Sequence, residues 1–282
     1  MKYIDGTFYK SCHERLREKV LLNTDTGKEY VAYYPEGYEV LGYFNSGSQV
    51  NVSLVRARHS HKNIYRTGGV ENNIFLLKNE DPQARGLSGA LKREMQVSHL
   101  VAKSFKPQYA PKIPQVIEGA YICNNPIRSY LIEELVPGEP LTLQLFNSLS
   151  KTRQKWVLTE LAASLCKMHF YIPDRYLKLS EFCIDTGGLF PDPVPGYNRQ
   201  KEIDPFFLNQ KLPLIHDDLS PANIIYDREK ITIIDYGRAG ISSRKEDFKS
   251  ARQNYSDKFA MRLMDRYLLV CGLAMKKWHK SV

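Results

Sequence analysis

The chain has 282 residues, 43% of them apolar and 25% charged, with a net charge of +9 at neutral pH. That length buries a substantial core in one domain or two lobes, and the composition excludes a disordered or fibrous chain. No apolar run approaches the ~20 residues of a membrane span, and the N-terminal MKYIDGTFYKSCHERLREKV carries no apolar signal core, so a cytoplasmic protein is expected. The cysteines (Cys12, Cys123, Cys166, Cys183 and Cys271) are scattered without a C-x-x-C pair, which points to reduced thiols and away from zinc. Beyond Arg244 the bases outnumber the acids Glu246, Asp247, Asp257 and Asp265 by more than two to one. Such basic C-terminal helices suit an anionic partner, and equally a solvated helical face.

In chain order, VLGYFNSGSQVNVSLV from Val40 to Val55 reads as strand, glycine turn, strand. Gly42 and Gly47 take the first and third positions of G-x-G-x-x-G, with Phe44 in place of the second glycine. Such a loop can close its backbone amides over triphosphate oxygens, and a plain hairpin accounts for the same residues. Gly68-Gly69 suits a β-turn. His59 and His61 lack acidic or cysteine companions and read as solvent-facing strand residues. Asn73 to Lys78 is a short apolar strand ending in lysine, a residue able to reach nucleotide phosphates when a helix carboxylate orients it. The next segment, Leu87 to Phe105, puts Leu91, Met95, His99 and Ala102 on one helical face, with Glu94 as the best-placed carboxylate.

Arg128 to Leu135 reads as a strand. Pro137, Gly138 and Pro140 then mark a chain reversal and a boundary, dividing the chain into residues 1–136 and 137–282. Lys151 to Phe170 is an amphipathic helix with Trp156, Leu158, Leu161, Leu165 and Met168 as its apolar stripe. About forty residues rich in proline, glycine and aromatics follow, roughly 171–212, and a loop of that length in a compact domain is usually functional or disordered.

LIHDDLSPANIIYDREKITIIDYGRAG, from Leu214 to Gly240, carries the chemistry. Either acid of His216-Asp217-Asp218 can be imagined as a base, but only Asp218 fits both steps of H-x-D-x-x-x-x-N, which ends at Asn223. Charged residues Asp227 to Lys230 read as the turn of a hairpin, and Asp235-Tyr236-Gly237 takes the place of D-F-G. An acid beside an accepting hydroxyl can take its proton, while an amide oxygen and a second carboxylate can hold magnesium on the phosphates. Alone, each fragment is an ordinary cap or turn. In this order and spacing they form a phosphoryl-transfer motif.

With these parts the chain resembles the aminoglycoside phosphotransferase and choline kinase-like families, small-molecule kinases with a protein-kinase-like fold. The resemblance is strongest from Leu214 to Gly240 and runs more weakly from about Val40 onward. It implies an α+β, bilobal fold with a small β-rich N-lobe (1–136) and a larger, mainly helical C-lobe (137–282), the segment about 171–212 being a substrate insertion. It also implies Glu94 as the partner of Lys78, and backbone contacts to adenine at a hinge formed by Glu133 and Leu135. His169 resembles the families' leucine-histidine helix ending, with Met168 in place of leucine, although a capping or packing histidine reads equally well. Ser220 stands where protein-serine kinases have lysine, and no A-P-E follows Asp235, which points away from that branch. Asp217 beside the base, Gly237-Arg238 and the missing proline after the metal motif depart from the favoured families and leave the acceptor open.

The expected activity is thus transfer of the γ-phosphoryl group of ATP to a small-molecule hydroxyl, with Asp218 as base and Asn223 and Asp235 on Mg. Lys78, Gly42 and Gly47 are expected on the nucleotide. The rivals are an atypical protein kinase, a catalytically silent kinase-like nucleotide-binding regulatory module, and a nucleic-acid or anionic-membrane binder.

Overall fold

Residues 16–24, 27–46, 50–58, 73–80, 90–106, 109–122, 128–172 and 213–278 are described by a computed structural model. The expectations on Gly47, His59, His61, Gly68-Gly69 and the segment 173–212 lie outside them. The chain divides into two compact units, one of Met1–Ser98 and Pro114–Val136 and one of His99–Ile113 and Pro137–Val282.

Period-two patterning builds the first unit. β1 (Arg17–Asn23) and β2 (Lys28–Tyr34) form an antiparallel hairpin. β3 (Tyr38–Ser46), β4 (Val50–Ala57), β5 (Ile74–Glu80), β6 (Val116–Ile122) and β7 (Arg128–Glu134) form one antiparallel sheet in the order β3-β4-β5-β7-β6. β5 continues two residues past Lys78, so the lysine sits inside the strand rather than at its end. On one sheet face Val55, Phe75, Leu77, Tyr130 and Ile132 pack with Tyr38, Val40 and Ala32 of β2. Successive side chains of a strand alternate faces, so Lys78, Leu131 and Glu133 fall on the other side. There Leu131 packs with Leu91 and Met95 of α1 (Ala90–Ser104). Leu91, Met95 and His99 are buried as their spacing requires. Ala102 departs from the expected stripe. It is exposed, while Leu100 and Val101 before it are buried, since burial follows what packs against the helix as well as its period.

The second unit is built on α3 (Lys151–Phe170), capped by the Ser150 hydroxyl, which accepts from the Arg153 N–H at 3.2 Å. Leu158, Leu161, Leu165 and Met168 are buried, each worth roughly 1.5–3 kcal/mol of apolar transfer. Trp156 of the expected stripe is only half-buried, with the Arg153 guanidinium 4.0 Å above its ring. α3 packs against α5 (Asp257–Trp278), and the free thiols of Cys166 and Cys271 meet between them at 2.9 Å. Before α3, α2 (Leu143–Ser148) sets Phe146 edge-on to Phe259 of α5, centroids 5.0 Å apart. α4 (Lys245–Asn254) packs on α5.

Short strands complete this unit. β10 (Ile224–Asp227) and β11 (Lys230–Ile233) form the hairpin, turning at Arg228-Glu229. β8 (Glu139–Pro140) pairs with β10, and β9 (Leu214–Ile215) pairs with β12 (Gly240–Ile241). The β8 contact brings backbone against backbone at Gly138, whose φ is +122° and where a Cβ would lie 2.6 Å from the Tyr226 carbonyl oxygen. Only glycine fits that conformation and that approach. Gly138→Ala should therefore cost about 2–4 kcal/mol in equilibrium urea unfolding. Gly42→Ala, with open space at its Cβ, should stay within about 0.5 kcal/mol of the parent.

Candidate active site

Pairing of β9 with β12 brings the two ends of the Leu214–Gly240 motif to one place in the second unit. His216 leaves β9 fully buried, its ring edge-on to that of Tyr236 with centroids 4.6 Å apart. Its Nδ1 accepts from the Asp218 N–H at 3.2 Å and its Nε2 lies 2.9 Å from the Ile234 carbonyl oxygen. Together these contacts call for the neutral tautomer with the proton on Nε2. His216 thus joins the backbone of Asp218 to the strand leading into Asp235.

Asp217 and Asp235 adopt positive φ values of 62° and 60°, a backbone region costly for non-glycine residues and best tolerated by Asn and Asp. The turn at Asp217 lets consecutive N–H groups point at one acceptor. That acceptor is Asp247 of α4, a residue counted from sequence only as an acid among the basic residues of the C-terminal region. Its Oδ1 accepts from the N–H groups of His216 at 3.0 Å and Asp217 at 2.8 Å. Its Oδ2 accepts from His169 Nε2 at 2.9 Å. One turn further along α4, the Ser250 hydroxyl accepts from the Leu219 N–H at 2.8 Å. His169 is held on its far side by the Tyr267 hydroxyl of α5, 2.8 Å from Nδ1. His169 is thus a buried packing histidine that ties three helices to the loop.

Asp247 is fully buried. Burial pushes its carboxyl up, but the hydrogen bond from His169, the field of His169 and the Asp217 N–H outweigh that and hold it below its ordinary value. Asp217 goes the other way. Burial pushes its carboxyl up to about 6; the Arg238 guanidinium, 4.0 Å away, opposes this while Asp247 and Glu246 reinforce it.

A 3₁₀ turn over Pro221–Asn223 ends the loop. Asn223 is buried and its Nδ2 donates to the Asp218 carbonyl at 3.0 Å, so its Oδ1 is the atom of this side chain that could accept a cation. Asp235 is exposed and accepts from the Gly237 N–H at 3.3 Å through Oδ1. One amide oxygen and one carboxylate fit Mg, which takes few protein ligands and completes its shell with phosphates and water. Among the described residues no cluster of three His, Cys, Asp or Glu side chains forms an all-protein metal cage.

In the first unit Lys78 Nζ lies 2.8 Å from Glu94 Oε1, the expected partner. It also lies 2.7 Å from Glu133 Oε1, which sequence reading placed only at a backbone hinge. All three side chains are buried. Leu135 follows β7 half-buried, and Gly42 sits inside β3 beside a register shift. On the basic C-terminal helices Lys249 pairs with Glu246 at 3.5 Å and Arg252 pairs with Asp257. Arg244 is buried, its guanidinium 4.2 Å over the Phe170 ring. Among the described residues no helix is long and apolar enough to cross a membrane.

Removing the shared acceptor leaves several buried donors unsatisfied, so Asp247→Ala should lose about 3–5 kcal/mol in denaturant unfolding. Asp217 binds its proton more tightly folded than unfolded, so its contribution to stability is full below the ordinary carboxyl range and lost as pH rises toward 6. Asp217→Asn keeps the left-handed turn and should raise Tm by about 2–4 °C at pH 7.5, with the difference closing near pH 4.

Comparison with protein-family models gives no match, and comparison with curated protein sequences gives none of significance. Solved structures do match. The ADP-bound aminoglycoside phosphotransferase APH(2'')-Ib is 16% identical with a TM-score of 0.55, covering 82% of this chain and 80% of its own. The streptomycin–ATP–APH(2'')-IIa ternary complex is 16% identical with a TM-score of 0.54, over 81% and 78%. The GDP complex of wild-type aminoglycoside 2'-phosphotransferase-IIIa is 18% identical with a TM-score of 0.53, over 82% and 77%. This chain has the fold of the aminoglycoside phosphotransferases, the bilobal, kinase-like α+β fold that the resemblance implied.

Proposed function

We propose that this chain is an ATP-dependent phosphotransferase that moves the γ-phosphoryl group to a hydroxyl of a small molecule. The observation that carries this reading is the anchored loop in which Asp218, held through His216, and Asn223, held on the Asp218 carbonyl, share one short stretch of backbone. The solved neighbours bind ATP, ADP or GDP, which supports a nucleotide here. Asp218 orients the acceptor hydroxyl and takes its proton. Asn223 Oδ1 and the Asp235 carboxylate hold Mg, which when bound neutralises charge on the phosphate oxygens. Lys78, set by Glu94, holds the nucleotide phosphates, with Gly42 of β3 and Gly47 after it lying over them and the backbone of Glu133 and Leu135 at the adenine edge. Aminoglycosides are the acceptors named for the streptomycin and gentamicin complexes. A chain of net charge +9 disfavours a polycation at long range, so less cationic alcohols belong beside the amino sugars among the acceptors to be tested.

The test is a phosphate-transfer assay with ATP and GTP against amino sugars, choline-like alcohols, sugars and inositol phosphates. Asp218→Asn should lower transfer by roughly 10²–10⁴ while nucleotide affinity stays nearly unchanged. Parent-level rates in that variant would sink the base assignment. Nucleotide–Mg binding by the parent with no transfer to any acceptor would favour the silent regulatory module.

A further inference from the structure

Lys78 faces two carboxylates, and orienting it toward nucleotide phosphates needs only one of them. β5 and β7 pair with Leu76 opposite Glu133 and Lys78 opposite Leu131. Glu133 is therefore the diagonal neighbour of Lys78 on the same sheet face, within reach of its ammonium. Glu94 approaches that face from α1, beside Leu91 and Met95. The two contacts are equally close, 2.8 Å to Glu94 and 2.7 Å to Glu133, and both acids are almost fully buried.

We infer that Glu133 is a positioning residue that competes with the nucleotide phosphates for Lys78 and so sets nucleotide affinity. A carboxylate and a phosphate oxygen are both anionic acceptors, and in a buried setting each weakens the hold of the lysine on the other. Glu94 comes from a helix and fixes where the ammonium points. Glu133 comes from the strand next to Lys78 and holds the ammonium against the sheet. Phosphates arriving at Lys78 must displace the Glu133 contact or sit beside its charge. Glu133 thereby weakens resting nucleotide binding, so that the complex forms and releases readily.

This inference rests on the assignment of Lys78 to the nucleotide. The test measures ADP and ATP–Mg dissociation constants by calorimetry for the parent, Glu133→Gln and Glu94→Gln, with folding checked by circular dichroism and thermal melts. Glutamine preserves the shape of Glu133 and removes its charge. Glu133→Gln should tighten ATP binding by roughly three- to tenfold, on the scale of one charge-assisted contact, and lower KM for ATP with little change in kcat. Glu94→Gln should weaken binding instead. Should Glu133→Gln not fold, the full-chain variant Glu133→Asp, with its carboxylate drawn back by one methylene, is expected to show a smaller tightening. Unchanged or weaker nucleotide binding in whichever folded variant is measured overturns the competition by Glu133 while leaving the kinase reading intact. Failure of the parent itself to bind nucleotide removes both.

Discussion

The second unit depends on one carboxylate. Asp247 is buried, charged and surrounded by donors that all come from elsewhere in the sequence: His169 at the end of α3, and the backbone of His216 and Asp217 after β9. A buried anion is tolerated only when hydrogen bonds replace the water it has lost. Here they do, and the cost of unmaking them keeps the loop in one conformation. The same contacts account for the left-handed turn at Asp217, since two successive N–H groups converge on one oxygen only if the chain reverses there. Strain at Asp217 and the clamp at Asp247 are two sides of one arrangement.

From that anchor the reactive groups follow by short steps. His216 passes the constraint to the Asp218 N–H and to the Ile234 carbonyl, so Asp218 and the approach to Asp235 are set by one imidazole. Asn223 closes the loop onto the Asp218 carbonyl, and Asp235 turns through its own left-handed residue into the 3₁₀ turn over Tyr236–Arg238. Ser250, one helical turn beyond Asp247, adds a second anchor at Leu219. A helix is well suited to this work because residues three and four apart share a face, so α4 offers two acceptors at fixed spacing to one loop. The first unit solves a similar problem differently. There a sheet face and a helix converge on one ammonium, and the charge of Lys78 is shared between side chains from β7 and α1.

Sequence alone determined the local pattern: the spacing H-x-D-x-x-x-x-N fits Asp218 and not Asp217, the hairpin follows from charged turn residues between apolar runs, and α3 is legible from its apolar period. These are short-range facts, set by spacing along the backbone. Only the tertiary structure decided the partners. Nothing near Asp247 distinguishes it from the acids that begin many helices, because its role exists only when residues 78 and 31 positions away fold onto it. Glu133 is read from sequence as a hinge residue and becomes a second partner of Lys78 because antiparallel register sets it diagonally across the sheet. The expected helix stripe fails at Ala102 for a like reason, since which part of a helix is buried depends on its neighbours as well as its period. The motif marked the residues proposed to react; apart from Glu94, expected from the resemblance, the buried charges around them are long-range contacts, which no local pattern encodes.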